Sequence, residues 1–201
     1  MGHIFPWRSG NRFALLIDGP SFFPAMLEAI AGAEREVLLE LYLVEDGRCS
    51  EVLVEALAAA ARRGVEVRCL FDGFGSLRFG SRLRQCLSEA GVALRLYNPL
   101  RWRRGLHNLH RDHRKLLVVD RRIAFVGGTG ATDEFWRPGE AKSLWHEVMV
   151  SIEGPLVAHW QLLFDYQWQA NVGRRPWRPE EAPGLDRLPP LPPQGHGMGR
   201  L

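Results

Sequence analysis

Short apolar runs alternate with segments of helical period along most of the chain, and that alternation restricts the fold to layers of helix and sheet. FALLID (13–18), EVLLELYLV (36–44), VEVRCLFD (65–72), residues 92–97 and EVMVSIE (147–153) read as strands, and 115–127 as a hairpin turning at Arg121-Arg122. Helices are predicted over 22–33, after the Gly19-Pro20-Ser21 turn, from the N-cap Ser50 to the C-cap Gly64, near 80–90, and over 155–170. The predicted class is α/β, a mixed sheet flanked by helices.

Residues 1–172 form one predicted domain, long enough to bury a single core. From residue 173 the composition changes. Seven of the 13 prolines lie between Pro176 and Pro193, so 173–201 reads as a disordered, polyproline-like tail, either an inert linker or a docking ligand. Cys49, Cys69 and Cys86 are odd in number and widely spaced, which argues against a disulfide framework or a cysteine zinc site and fits a reducing compartment. The apolar run FALLI is too short for a signal peptide and no window approaches a membrane span. A cytoplasmic location, free or peripheral on the inner face of the membrane, is the expectation. A net charge of +3 and a pI near 9.0 admit an anionic partner, phospholipid or nucleic acid, without choosing between them.

Of the 26 basic residues only Lys115 and Lys142 are lysines, so 24 are arginine and each lysine stands out. Lys115 lies in HNLHRDHRKLLVVDRRIAFVGGTG (107–130). In a strand beginning near 113, the two-residue period places His113 and Lys115 on one face, roughly 6–7 Å apart, where they can flank a phosphate. Asp120 has the opposite parity and sits at the turn, which gives it a structural or orienting place in the candidate catalytic set. A neutral imidazole can attack phosphorus and carry the phosphoryl group covalently, with no metal or other cofactor. Its other nitrogen then needs a carboxylate or carbonyl, and Glu147, at the start of EVMVSI, is the candidate. Asp133 and Glu134 read as solvated. Lys115 would neutralise the phosphate oxygens, assisted by backbone N–H groups of the turn Gly127-Gly128-Thr129-Gly130. The plainer reading of the same residues is a packed hairpin with a surface histidine.

HxKxxxxD followed by Gly-Gly seven residues after the aspartate, here His113, Lys115, Asp120, Gly127 and Gly128, resembles the signature of the phospholipase D superfamily. Residues 11–47, RRGVEVRCLFDGFGS and WHEVMVSIEGPLV are similar to the first half of a bacterial cardiolipin synthase, so the resemblance spans roughly residues 11–170. It implies a phospholipase D-like layered domain and phosphodiester transfer through a phosphohistidine, resolved by an alcohol or water. In cardiolipin synthases the alcohol is a second lipid, so an anionic phospholipid is the implied substrate. By the same resemblance His113 is nucleophile or acid, Lys115 the phosphate clamp and Glu147 the partner of the histidine. The family's glycine turn carries asparagine where this chain has Gly130, which removes a phosphate-contacting side chain.

Superfamily enzymes oppose two such motifs, one histidine attacking while the other protonates the leaving group. This sequence has one. A homodimer, a separately encoded second half and an inactive remnant are the three explanations. A homodimeric endonuclease, for which nucleic acid replaces lipid, and a non-catalytic half-domain are the rival functions.

Four further features have competing readings. His107, His110 and His113 recur every three residues without acidic or cysteine partners, a poor metal set. RWRR (101–104) is a basic patch, either phosphate-binding or merely solvated. Asp72-Gly73-Phe74-Gly75-Ser76 is either a phosphate loop or a tight strand-to-helix turn. In the last helix Leu156, Val157, Trp160, Leu163, Phe164 and Trp168 share a face, read as core, with an interface or membrane surface as the alternative.

Overall fold

The computed structural model describes residues 5–100, 102–142, 145–173 and 191–201. Among the described residues eight strands form one mixed sheet in the order β4-β3-β2-β5-β6-β7-β1-β8, and four α-helices flank it. The strands are β1 (Arg8–Ile17), β2 (Glu36–Leu41), β3 (Glu66–Asp72), β4 (Ala93–Tyr97), β5 (Leu116–Val119), β6 (Ile123–Gly127), β7 (Val148–Glu153) and β8 (Gly197–Gly199). The helices are α1 (Gly19–Ala31), α2 (Arg48–Arg62), α3 (Ser81–Glu89) and α4 (Val157–Gly173). Strands β2, β3 and β4 run parallel, with α2 and α3 as the crossovers that parallel neighbours need, while β5, β6, β7 and β1 are antiparallel neighbours.

The two faces of β2 explain its sequence. Val37, Leu39 and Leu41 enter the core shared with α1, α2 and α3, while Leu38 enters the smaller core closed by α4. A strand covered on both sides reads as a continuous apolar run. The predicted last-helix face is core: Leu156, Val157, Phe164 and Trp168 are buried, and Trp160 packs against them.

Several local expectations shift, and Gly19-Pro20-Ser21, expected as a turn before a helix at 22–33, is instead the first turn of α1. Strand β2 ends at Leu41 rather than 44, and Val44 forms only an isolated bridge with Ala131, which frees Tyr42 to turn toward the sheet's end. The N-cap of α2 is Gly47, not Ser50. Asp133, expected in solvent, caps this helix from a distant loop: its Oδ1 accepts the Cys49 N–H at 2.9 Å. The C-cap is Arg63 rather than Gly64, and Gly64 follows it with φ of 92°, in the left-handed region that glycine enters freely.

Of the tail expected to be disordered, 174–190 lies outside the described residues. Residues 191–201 lie along the domain: β8 pairs with β1 through Arg8↔Gly199 and Asn11↔Gly197, and Leu191 and Leu201 pack against the α4 core. All three cysteines are free thiols. Among the described residues no helix is long and apolar enough to cross a membrane.

Candidate active site

The candidate residues gather at one end of the sheet, where β2 and β6 finish and β5 and β7 begin. His113 and Lys115 lie in the extended segment just before β5. The His113 ring stacks on Tyr42, with centroids 4.1 Å apart and planes 15° apart. Lys115 Nζ lies 5.4 Å from the same ring and donates to the His113 carbonyl oxygen at 2.6 Å. One aromatic wall therefore holds both the imidazole and the ammonium. Burial lowers the pKa of Lys115, with Asp112 and Glu147 acting in the opposite direction.

Glu147 reaches this end but not the imidazole. Among the described residues it forms no hydrogen bond with His113; its Oε1 accepts the Val148 N–H at 2.8 Å. The carboxylate rests on Gly128, where a Cβ would stand 2.1 Å from Oε2, so a side chain at that position would push the Glu147 carboxylate aside. Across this glycine floor Glu147 faces the Lys115 charge rather than the histidine.

Asp120 is placed elsewhere. It lies at the far end of β5, in a left-handed conformation with φ of 51°. Its carboxylate accepts the N–H groups of Glu34, Arg35 and Glu36 at 2.8, 2.8 and 2.9 Å, clamping the hairpin to the start of β2. Burial alone would raise this carboxyl, but the three N–H groups and Arg122 outweigh it and hold the pKa below the usual value. Thr129 is buried and its hydroxyl donates to the Gly130 carbonyl oxygen at 3.0 Å.

The loop after β3 is a turn rather than a phosphate cradle. Asp72 Oδ1 already accepts the N–H groups of Phe74 and Gly75, at 2.8 and 3.0 Å. The side chains of 102–104 in RWRR, and of His107, lie outside the described residues. Among those described, no group of three or more His, Cys, Asp or Glu side chains is arranged to hold a metal.

The family profile described as "Cardiolipin synthase, PLD-like domain" matches residues 26–168. The chain belongs to that family. It is 39% identical over 156 residues to cardiolipin synthase B of Salmonella typhi, covering 76% of this chain and 37% of the relative. To cardiolipin synthase B of Escherichia coli K12 it is 34% identical over 188 residues, covering 91% of this chain and 45% of the relative. The chain thus spans less than half the length of these relatives. Among solved structures, Nuc of Salmonella typhimurium, a phospholipase D family member, superposes with a TM-score of 0.59 at 19% identity, over 79% of this chain and 95% of Nuc. NucT of Helicobacter pylori gives 0.60 at 13% identity, over 79% and 96%. The α/β fold with its mixed sheet is that of the phospholipase D structures.

Two features of this PLD-like domain escaped the sequence reading. Asp18, between β1 and α1, adopts φ 62° and ψ 158°, an unfavourable conformation for a residue with a side chain. There its N–H donates to the Glu147 carbonyl at 2.8 Å, its Oδ1 accepts the Glu147 N–H at 3.1 Å, and the same oxygen meets His146 Nδ1 at 2.7 Å. The strained residue fixes the backbone from which Glu147 projects. The second feature is a cluster of charges behind His113, the buried carboxylates Glu40, Asp72 and Asp112 with the partly buried Arg111 and Arg114.

Proposed function

We propose that this domain carries one half of a phospholipase D-type active site and takes part in cardiolipin synthase-like phosphatidyl transfer, with His113 as nucleophile and Lys115 as phosphate clamp. The observation that carries this reading is the shared Tyr42 wall, which keeps an exposed imidazole and a partly buried ammonium side by side. A ring nitrogen of His113 attacks phosphorus as the bond to the leaving oxygen breaks, and a second acid protonates that oxygen. An acceptor alcohol then attacks the phosphohistidine, the P–N bond breaks, and the alcohol proton goes to the same second group. Lys115 offsets charge on the non-bridging oxygens throughout. Glu147 keeps that lysine charged and oriented, and Asp120 acts through the fold.

The second acid comes, in this reading, from another motif-bearing half, either a second copy or a separate chain. Phe13, Leu15 and Ile17, 41%, 70% and 55% exposed, form an apolar stripe on one face of β1 that runs toward the site and supports such an association. An open cleft lined by Ile17, Asp18, Pro20, Ser21, Ala141 and Lys142 begins beside it, of mixed polarity and with one acidic and one basic side chain. The test pairs light scattering with incubation on phosphatidylglycerol vesicles in a chelator, and with trapping of an acid-labile phosphohistidine. Lipid transfer and a trapped adduct, both lost in His113→Ala, support the reading. Salt-sensitive DNA cleavage without lipid transfer replaces it with the nuclease. Neither activity and no adduct, in the dimer or with a complementing half, leaves a non-catalytic domain.

A further inference from the structure

Behind the His113–Lys115 segment lies charge that the proposed chemistry does not use. Glu40 is 0% exposed, inside the apolar strand β2. Its Oε1 accepts from Arg114 Nε at 3.1 Å and from Arg114 Nη2 at 3.0 Å, so one oxygen takes both prongs of the guanidinium. Its Oε2 is also buried and meets no donor among the described residues. Asp112, 7% exposed, lies beside it and is already an acceptor, for the Arg114 N–H at 3.2 Å and for Gln167 Nε2 of α4 at 3.5 Å.

Asp112 and Arg114 are the charged groups acting on Glu40, so two buried carboxyl groups face one partly exposed guanidinium. Two like charges in such a place do not both ionise. A single proton on Glu40 resolves the conflict, because it turns the orphaned oxygen into a donor and gives Asp112, which already has Arg114 Nε at 3.7 Å, one more donor. Burial first, and then the neighbouring Asp112 carboxyl, push Glu40 well above the usual carboxylate range, with the Arg114 charge opposing.

We propose that Glu40, as a neutral acid accepting Arg114 through Oε1 and donating to Asp112 through Oε2–H, is the positioning residue for His113 and Lys115. The proposal rests on the phosphodiester reading for what those two residues do, but not for how they are held. Residues 112 and 114 alternate with 113 and 115 in an extended segment, so pinning the first pair inward turns the second pair outward. The β2–β5 ladder ends at Glu40↔Leu116, just short of this segment. The Glu40 side chain continues the registration where the backbone pairing stops. Asp72 supports it from β3, accepting the Asp112 N–H at 2.9 Å and Arg111 Nη1 at 3.2 Å.

Glu40→Gln preserves the arrangement, since its amide oxygen accepts from Arg114 and its NH2 donates to Asp112, whereas Glu40→Leu does neither. Three readouts on the full chain decide. Difference infrared spectra at neutral pH should show a protonated carboxylic-acid carbonyl band in wild type that Glu40→Gln removes. The ring signals of His113, identified by their loss in His113→Ala and displaced by the Tyr42 ring current, should persist in Glu40→Gln and move to those of a free histidine in Glu40→Leu. With a complementing half, kcat should fall about 10²-fold in Glu40→Leu with KM little changed, and recover in Glu40→Gln. If Glu40→Leu does not fold, the Glu40→Leu/Arg114→Leu double variant removes both partners together and should fold with His113 displaced. An absent acid band, a Glu40→Gln variant as impaired as Glu40→Leu, or unmoved His113 signals in either folded leucine variant overturns the proposal. If the infrared and ring signals behave as stated while no phosphodiester is turned over, the phosphodiester reading fails and the assignment of Glu40 stands.

Discussion

At one end of β5, Asp120 gives its whole carboxylate to three backbone N–H groups of the β2 entry; at the other, His113 is exposed, held by one stacked ring and a lysine bonded to its own carbonyl. Both ends belong to one HxKxxxxD motif. The saturated end makes structure, and the end with unspent capacity is where a ligand has something to bind. Proximity in sequence, four strand residues here, says nothing about a shared role.

Replacing each end should separate them. The largest effect is expected from His113→Ala, which should reduce phosphodiester turnover at least about 10³-fold, about 4 kcal/mol of barrier, with an unchanged urea midpoint. A large drop in that midpoint would place the histidine on the structural side. Asp120→Ala should do the reverse, costing about 2–4 kcal/mol in urea unfolding, with lost activity following lost folded protein. Because the folded carboxyl is depressed, its contribution is present above the unfolded pKa near about 4 and is lost as the pH falls through and below that value. Asp120→Asn, which tolerates the left-handed backbone, should lose less.

Gly130→Asn, the residue that the resemblance leads one to expect in this turn, should cost about 1–2 kcal/mol, because a Cβ there meets the Leu43 carbonyl oxygen at 2.8 Å. A gain in stability in thermal melts would show that the Leu43 backbone yields. The smallest effect is expected far from both ends. Burial, with Arg8 adding to it, holds His159 down at about 4. The unfolded imidazole titrates near about 6.5, so between these values the unfolded chain binds a proton that the folded chain refuses. Stability should therefore fall as the pH drops through that window, and His159→Gln should flatten the profile there.

The alternation of strands and helices, the hairpin and the His113–Lys115 pair were legible in the sequence because each depends on periods of two to four residues. The contacts that tune the site were not. Asp18 lies 129 residues from Glu147 and reads in LLIDGP as an ordinary turn residue. Asp133 looks solvated until the loop that carries it meets the start of α2. Glu40 did leave a trace, a carboxylate in the middle of EVLLELYLV, where both neighbouring faces of the strand are apolar. Such an interruption signals a buried polar partner, but its identity depends on the β2–β5 register, which no local pattern encodes.

The pairing of β1 with β7 joins Arg12 to Glu153 across 141 residues. During synthesis β1 emerges first and has neither of its neighbours until β7 and then β8 leave the ribosome. For that interval the backbone N–H and C=O groups of β1 are unpaired beside Phe13, Leu15 and Ile17, the kind of apolar strand that chaperones bind and that aggregates when they do not. High contact order of this sort slows folding, so the last strands to be made set when the whole sheet closes.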